Sequence, residues 1–138
     1  MYGALETSVS GMVAQRTRHA VIAANMANSS TLLNAEGEYE PYLRREVFFA
    51  PGNPSADSPD GKANGVHVKT IEADLDALRA EYRPNSPYAD DRGYVMVPDI
   101  SPVVEQVNAM DAARAYEANL AAAEATKGMM AQALRLLA

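Results

Sequence analysis

The stretch from Asp99 to Ala138 constrains the fold more than any other part of the chain. No proline follows Pro102. From there Val103, Val107, Met110, Ala113, Tyr116, Leu120, Ala123, Met130, Leu134 and Leu137 fall mostly three or four residues apart, with Lys127 as the one polar member of the row. This spacing predicts the apolar face of a long helix. Asp99 or Ser101 can cap its start, and Pro102 suits the first turn, where its missing N–H costs nothing. At ~1.5 Å of rise per residue the helix would be roughly 50 Å long, too long to lie on a compact domain of this size. Its far end carries Met129, Met130, Leu134, Leu136 and Leu137, where most chains turn polar and fray. Those side chains need a cover.

The first stretch of the chain is the natural partner. Leu5, Val9, Met12, Arg16, His19, Ala23 and Met26 repeat with strict three-four spacing, a heptad seam with two polar members. Val13, Ala20, Ala24 and Ala27 form a second row beside it. Thr7 or Ser8 could cap this helix, and Asn28-Ser29-Ser30 reads as its end. The expected fold is mainly α with a small β-rich insert. Its N- and C-terminal helices, from segments 1–34 and 99–138, pack as an antiparallel coiled coil, and residues 35–98 form the insert between them.

The insert reads as strands and turns. Glu38–Ala50 has aromatic and β-branched content, with Tyr42, Val47, Phe48 and Phe49 as core candidates. Ala50–Gly65 is rich in Pro-Gly, Asn-Pro, Asp-Gly and Asn-Gly signals and reads as a flexible surface loop. Val66–Glu72 alternates as a strand, antiparallel to the first. A turn near Asp74–Asp76 leads into a third strand, Leu78 to Tyr82. Three prolines exclude a long helix between Arg83 and Asp99, and Tyr94–Val97 packs back on its neighbours.

Composition narrows the function. The net charge of −6 and the lack of a basic face argue against nucleic acid. The absence of cysteine removes disulfides, thiolate catalysis and Cys-based metal sites. No apolar run approaches the ~20 residues of a membrane span, and no signal peptide is expected at the N-terminus. His19 and His67 lie in different elements, and the aspartates sit in turn contexts or lack calcium-loop spacing. No phosphate loop, nucleophile elbow or zinc-protease motif is present. Neither an enzyme nor a cofactor is expected.

The surplus of apolar helix surface is the better guide. Val104, Ala118, Ala121, Ala125 and Ala133 form a further row that one partner helix cannot cover, so burial on more than one side, by self-association or a larger assembly, is expected. Two helical glycines bear on this. Gly11 and Gly128 each cost ~1 kcal/mol relative to alanine, and an antiparallel pair brings them to about the same level. Either they tolerate solvent or they mark a close approach that a Cβ would block.

Three patches resemble a known family. AANMANSST, Ala23–Thr31, is similar to the A-x-N-L-A-N-x-x-T signature of flagellar rod and hook proteins, with Met26 in place of leucine. Tyr82–Met110 resembles the Y-x-P-x-x-P-x-A-x-x-x-G-Y-V-x-x-P-x-V segment of proximal rod proteins of the FlgC type. ARAYEANLAAAEATKGMMAQALRLL resembles the R-x-Y-x-A-N helix that closes these proteins. The resemblance implies a structural subunit of the bacterial flagellar basal-body proximal rod, exported by the flagellar type III apparatus without signal cleavage. It implies assembly in the periplasm as a helical rod that transmits torque from motor to hook. The partners implied are copies of itself and other rod proteins. The expected assembly interface joins the apolar rows (Leu5, Val9, Met12, Ala23, Met26, Val103, Val107, Met110, Tyr116, Leu120, Met130, Leu134 and Leu137) with the motif asparagines Asn25, Asn28 and Asn119. Another rod or hook-junction subunit of the same axial family would share these helices. A small cytoplasmic ligand-binding helical protein is the alternative of a different class.

Overall fold

The computed structural model describes residues 2–137. Helix α1 spans Tyr2–Ala27 and helix α3 spans Pro102–Leu137. Between them lie strand β1 (Arg45–Pro51), a short helix α2 (Pro59–Asn64), and strands β2 (Val66–Ala73), β3 (Leu78–Tyr82) and β4 (Tyr94–Pro98). β1 pairs antiparallel with β2, with an irregularity between Phe48 and Phe49, and β3 pairs antiparallel with β4. The β2 and β3 strands and the β1–β2 pairing follow the alternation of the sequence.

The two long helices run antiparallel. A Cβ at Gly11 would meet the Asn119 side chain, and Asn25 hydrogen-bonds Glu105. This register sets Gly128 about level with Tyr2, not with Gly11, so α3 continues for more than two turns beyond the described start of α1.

The seam is not the apolar one. Val9, Ala23 and Met26 of the expected α1 row are exposed, as are Val103, Val107, Met110, Ala113, Tyr116 and Leu120 of the α3 row. What α3 turns inward is Glu105, Ala112, Asn119 and Thr126, which recur every seven residues, with Ala123 between the last two. Small and polar side chains let the helices approach closely. The larger apolar side chains, Val103, Val107 and Met110 among them, point away from this seam and are left outside.

Three further expectations are corrected. Thr7 and Ser8 do not cap α1; they lie inside it and donate back to the carbonyls of Gly3 and Ala4, a local bond open to any helical hydroxyl. Phe48 and Phe49 are exposed, because β1 and β2 form a bare two-stranded ribbon with only one face on α1. The 50–65 segment is not a free loop. Ser58 accepts from the Gly61 N–H as N-cap of α2, and Pro59 occupies the first turn.

β3 and β4 bury Val95 and Val97 on one face with Ala77 and Ile100. The other face carries Tyr82 edge-on to Tyr94. Gly93 takes a positive φ of 83° in the turn before β4, where Asp90 Oδ1 accepts from the Arg92 and Tyr94 amides. The Leu33–Tyr39 bridge folds over this ribbon, Tyr39 stacking on Tyr88 at 4.9 Å and donating to the Met96 carbonyl.

Candidate assembly surface

Two structural features stand out: an outer apolar face on the helices and a polar knot beneath it. On α3 the outer face begins with Val103 at 72 % exposure and runs through Val107, Met110, Tyr116 and Leu120 to Leu134 at 68 %. Val104, Met129 and Leu136 widen it. On α1 the counterpart is Val9, Val13 and Met26, with Tyr2 near the end. Leu5, Met12 and Met130 are half-buried. The Leu137 side chain lies outside the described part of the chain. A face of this length on a two-helix unit exceeds the scattered apolar surface usual for a monomer.

The knot forms where the C-terminal turns of α1 meet the start of α3. Asn25 is 1 % exposed and uses all its hydrogen-bonding capacity. Its Nδ2 donates to the Arg45 carbonyl at 2.9 Å and to Glu105 Oε2 at 3.3 Å. Its Oδ1 accepts from the Arg45 amide at 2.9 Å and from Tyr42 Oη at 3.1 Å. The Asn25 side chain therefore pairs with the backbone of β1 as a further strand would. Glu105 is equally buried and accepts from Arg44 Nε at 3.0 Å, and Arg44 Nη1 also reaches Glu46 Oε1 at 2.6 Å. Burial works against the Arg44 charge, but the hydrogen bond to Glu105 and the two carboxylates outweigh it and hold the pKa above its ordinary value.

The motif asparagines thus divide. Asn25 lies wholly inside the subunit. Asn28 donates to the Ala24 carbonyl and accepts from Thr31 Oγ1, closing the end of α1. Asn119 donates to the Ala115 carbonyl and covers Gly11. The sequence reading missed Glu105 and Arg44, and it took Tyr42 for a core residue of the insert without its bond to Asn25; Glu105 belongs to neither apolar row of α3, and its place between Val103, Val104 and Val107 was the available signal.

A second polar contact holds the insert to the start of α1. Glu6 accepts from Ser58 Oγ and from the Asp57 and Ser58 amides. The Ser58 hydroxyl, with the two amides, lowers its pKa against the opposing effect of burial. Ser10 Oγ accepts from the Val66 amide nearby. His67 is half-buried, with Nδ1 2.8 Å from the Gly52 carbonyl, and stands apart from His19 on α1. Among the described residues no group of three or more histidine or carboxylate side chains could hold a metal ion, and no helix is long and apolar enough to cross a membrane.

The two helices that build this surface match known families. Residues 5–32 match the model described as flagella basal body rod protein, and residues 91–136 match that of the flagellar basal body rod FlgEFG protein C-terminal region. Over nearly the whole chain there are curated relatives. The flagellar basal-body rod protein FlgC of Bacillus subtilis is 34% identical over 98% of this chain and 97% of its own length. FlgC of Borreliella burgdorferi is 35% identical over 99% and 97%, and FlgC of Salmonella typhimurium is 34% identical over 92% and 90%. With matches at this level along its length, the chain belongs to the FlgC family of flagellar basal-body rod proteins, and it is a structural subunit of the rod, not an enzyme.

Proposed function

We propose that the chain assembles helically, with copies of itself and other rod proteins, into the proximal rod, which carries torque from motor to hook. The observation that carries this reading is the exposed row Val103–Val107–Met110–Leu120–Leu134 on α3. Val103, Val107 and Met110 are apolar and exposed, Leu120 and Leu134 extend the row past the buried Ala123 and the polar Lys127, and no described residue of the subunit covers these five side chains. In the rod the row packs against neighbouring helices, and the pair works as the two-stranded coiled coil of an inner, domain-zero layer made of segments 1–34 and 99–138. The insert, 35–98, lies further out. Val9, Ala23 and Met26 join the same interface from α1. Leu5, Met12, Tyr116 and Met130 line its margins. Asn25, Asn28 and Asn119 act from within by fixing the helices that present the face. The chain reaches the periplasm through the flagellar type III export apparatus, as its family membership suggests.

The absence of native cysteine makes a direct test simple. Single cysteines at Val107 and at Met110, introduced into the chain in a strain lacking its own copy, should cross-link to other rod subunits in isolated basal bodies. A cysteine at exposed Lys69 on β2 should cross-link far less. Equal labelling at all three positions, or no incorporation of the unmodified chain into basal bodies, would contradict the reading.

A further inference from the structure

We propose that Asn25 and Glu105 are a positioning pair that ties the placement of the strand insert to the docking of α3. The rod subunit then acquires its set geometry between helices and insert in a single step.

Apart from Ile22, buried on α1, the residues that the two helices turn inward are small or polar. Ala112, Ala123 and Thr126 bury little area each, and Asn119 adds packing with no hydrogen bond across to α1. The register-setting polar contact between the helices is Asn25 to Glu105. A fully buried carboxylate is costly unless its charge is paired and hydrogen-bonded. The charge that pairs Glu105 comes from neither helix: Arg44 stands in the segment just ahead of β1. The start of α3 therefore seats favourably only when the insert is in place to offer Arg44.

The dependence also runs the other way. β1 is held to α1 by Asn25, which grips the Arg45 amide and carbonyl together. One Asn25 N–H remains, and Glu105 takes it; Tyr42 takes the remaining Oδ1 site. Without Glu105 that buried N–H has no acceptor, and Arg44 loses its deepest partner. Each element completes the hydrogen bonding that the other needs, which is the condition for strong non-additivity between them. Polar side chains buried between helices also specify register at a cost in stability, and here the same pair specifies the position of a third element.

Hydrogen exchange on the purified full chain tests this. Arg44→Met should raise exchange across residues 102–112, on an element to which Arg44 does not belong, by roughly a hundredfold. Glu105→Met should likewise raise exchange across β1. The double variant Arg44→Met/Glu105→Met, with no buried charge left, should recover most of the α3 protection. If Arg44→Met abolishes folding, Arg44→Lys gives the graded form: it keeps the charge, loses the planar fork, and should loosen both elements by a smaller common factor. Variants that each loosen only their own element, or whose effects simply add, would overturn the proposal. So would an unmodified chain in which residues 102–112 show no protection.

Discussion

The carboxamide of Asn119 occupies the place where a side chain at Gly11 would go. A Cβ there would lie 2.6 Å from Asn119 Oδ1 and 2.8 Å from Cγ, while one at Gly128 would meet nothing within 4 Å. The two helical glycines therefore have different roles. Gly11→Ala should destabilise the free chain by about 1–3 kcal/mol through overpacking, despite alanine's better helix propensity. Gly128→Ala should raise helix stability by roughly 0.5–1 kcal/mol. Thermal melts of the two variants decide it, and a stabilised Gly11→Ala would show that the helices are spaced more widely than described.

Removing the hub of the knot should cost far more than removing the cap beside it. Asn25→Leu strands the Arg45 amide and carbonyl, Tyr42 Oη and one side of Glu105, and should destabilise by about 3–5 kcal/mol. Asn28→Ala loses one bond to a helix carbonyl and one to Thr31, and should cost about 1 kcal/mol. Urea unfolding compares them directly; equal losses would mean that the Asn25 bonds add nothing beyond an ordinary helix-end contact.

The contact of Glu6 with the α2 segment should respond to acid. Its carboxyl pKa is lowered from the ordinary 4.5 by the Ser58 hydroxyl and the two amides. The folded form thus favours the deprotonated state. The stabilisation is fully present above the unfolded value and is lost as pH falls through the lowered folded value. Amide exchange at Gly61 and Lys62 should rise in that acid window and remain flat at neutral pH. Glu6→Gln should show the raised exchange at every pH.

The outer end of α3 should be the least protected part of the free subunit. From Met129 onward the helix passes the described start of α1, and Leu134 and Leu136 are 68 % and 88 % exposed. Exchange should be fast there and slow near Glu105, and assembly into rods should slow the outer end. Strong protection across Met129–Leu136 in a verified monomer would contradict this.

Much of this was legible in the residues, and the errors share one cause. The helices, the β1–β2 ribbon and β3 follow from periodicity and breakers. The seam does not, because hydrophobicity reports which side of a helix is buried in the end, not by what. Val103, Val107 and Met110 are left exposed in the single chain, while Ala112, Asn119 and Thr126 face the inside of the helix pair. Phe48 and Phe49 misled in the same way on a ribbon too thin to bury both faces. The α2 helix had its signal in Ser58-Pro59, but the surrounding turn residues outweighed it. Arg44 is brought to Glu105 from 61 positions away, which no local pattern encodes.

If the exposed α3 row is an assembly face of a rod subunit, charge placed on it should disrupt the rod and spare the free chain. Val107→Asp and Leu134→Asp should each leave the free chain's stability within about 0.5 kcal/mol of the original, since both sites are exposed there. Each should cost the assembled rod about 2 kcal/mol or more per subunit, through lost apolar burial and a buried charge. Swimming of a strain dependent on each variant is the measurement, with export followed in the same cells. Exported, folded protein and no motility are expected. Normal swimming, with both variants incorporated into basal bodies, would contradict an assembly role for the row.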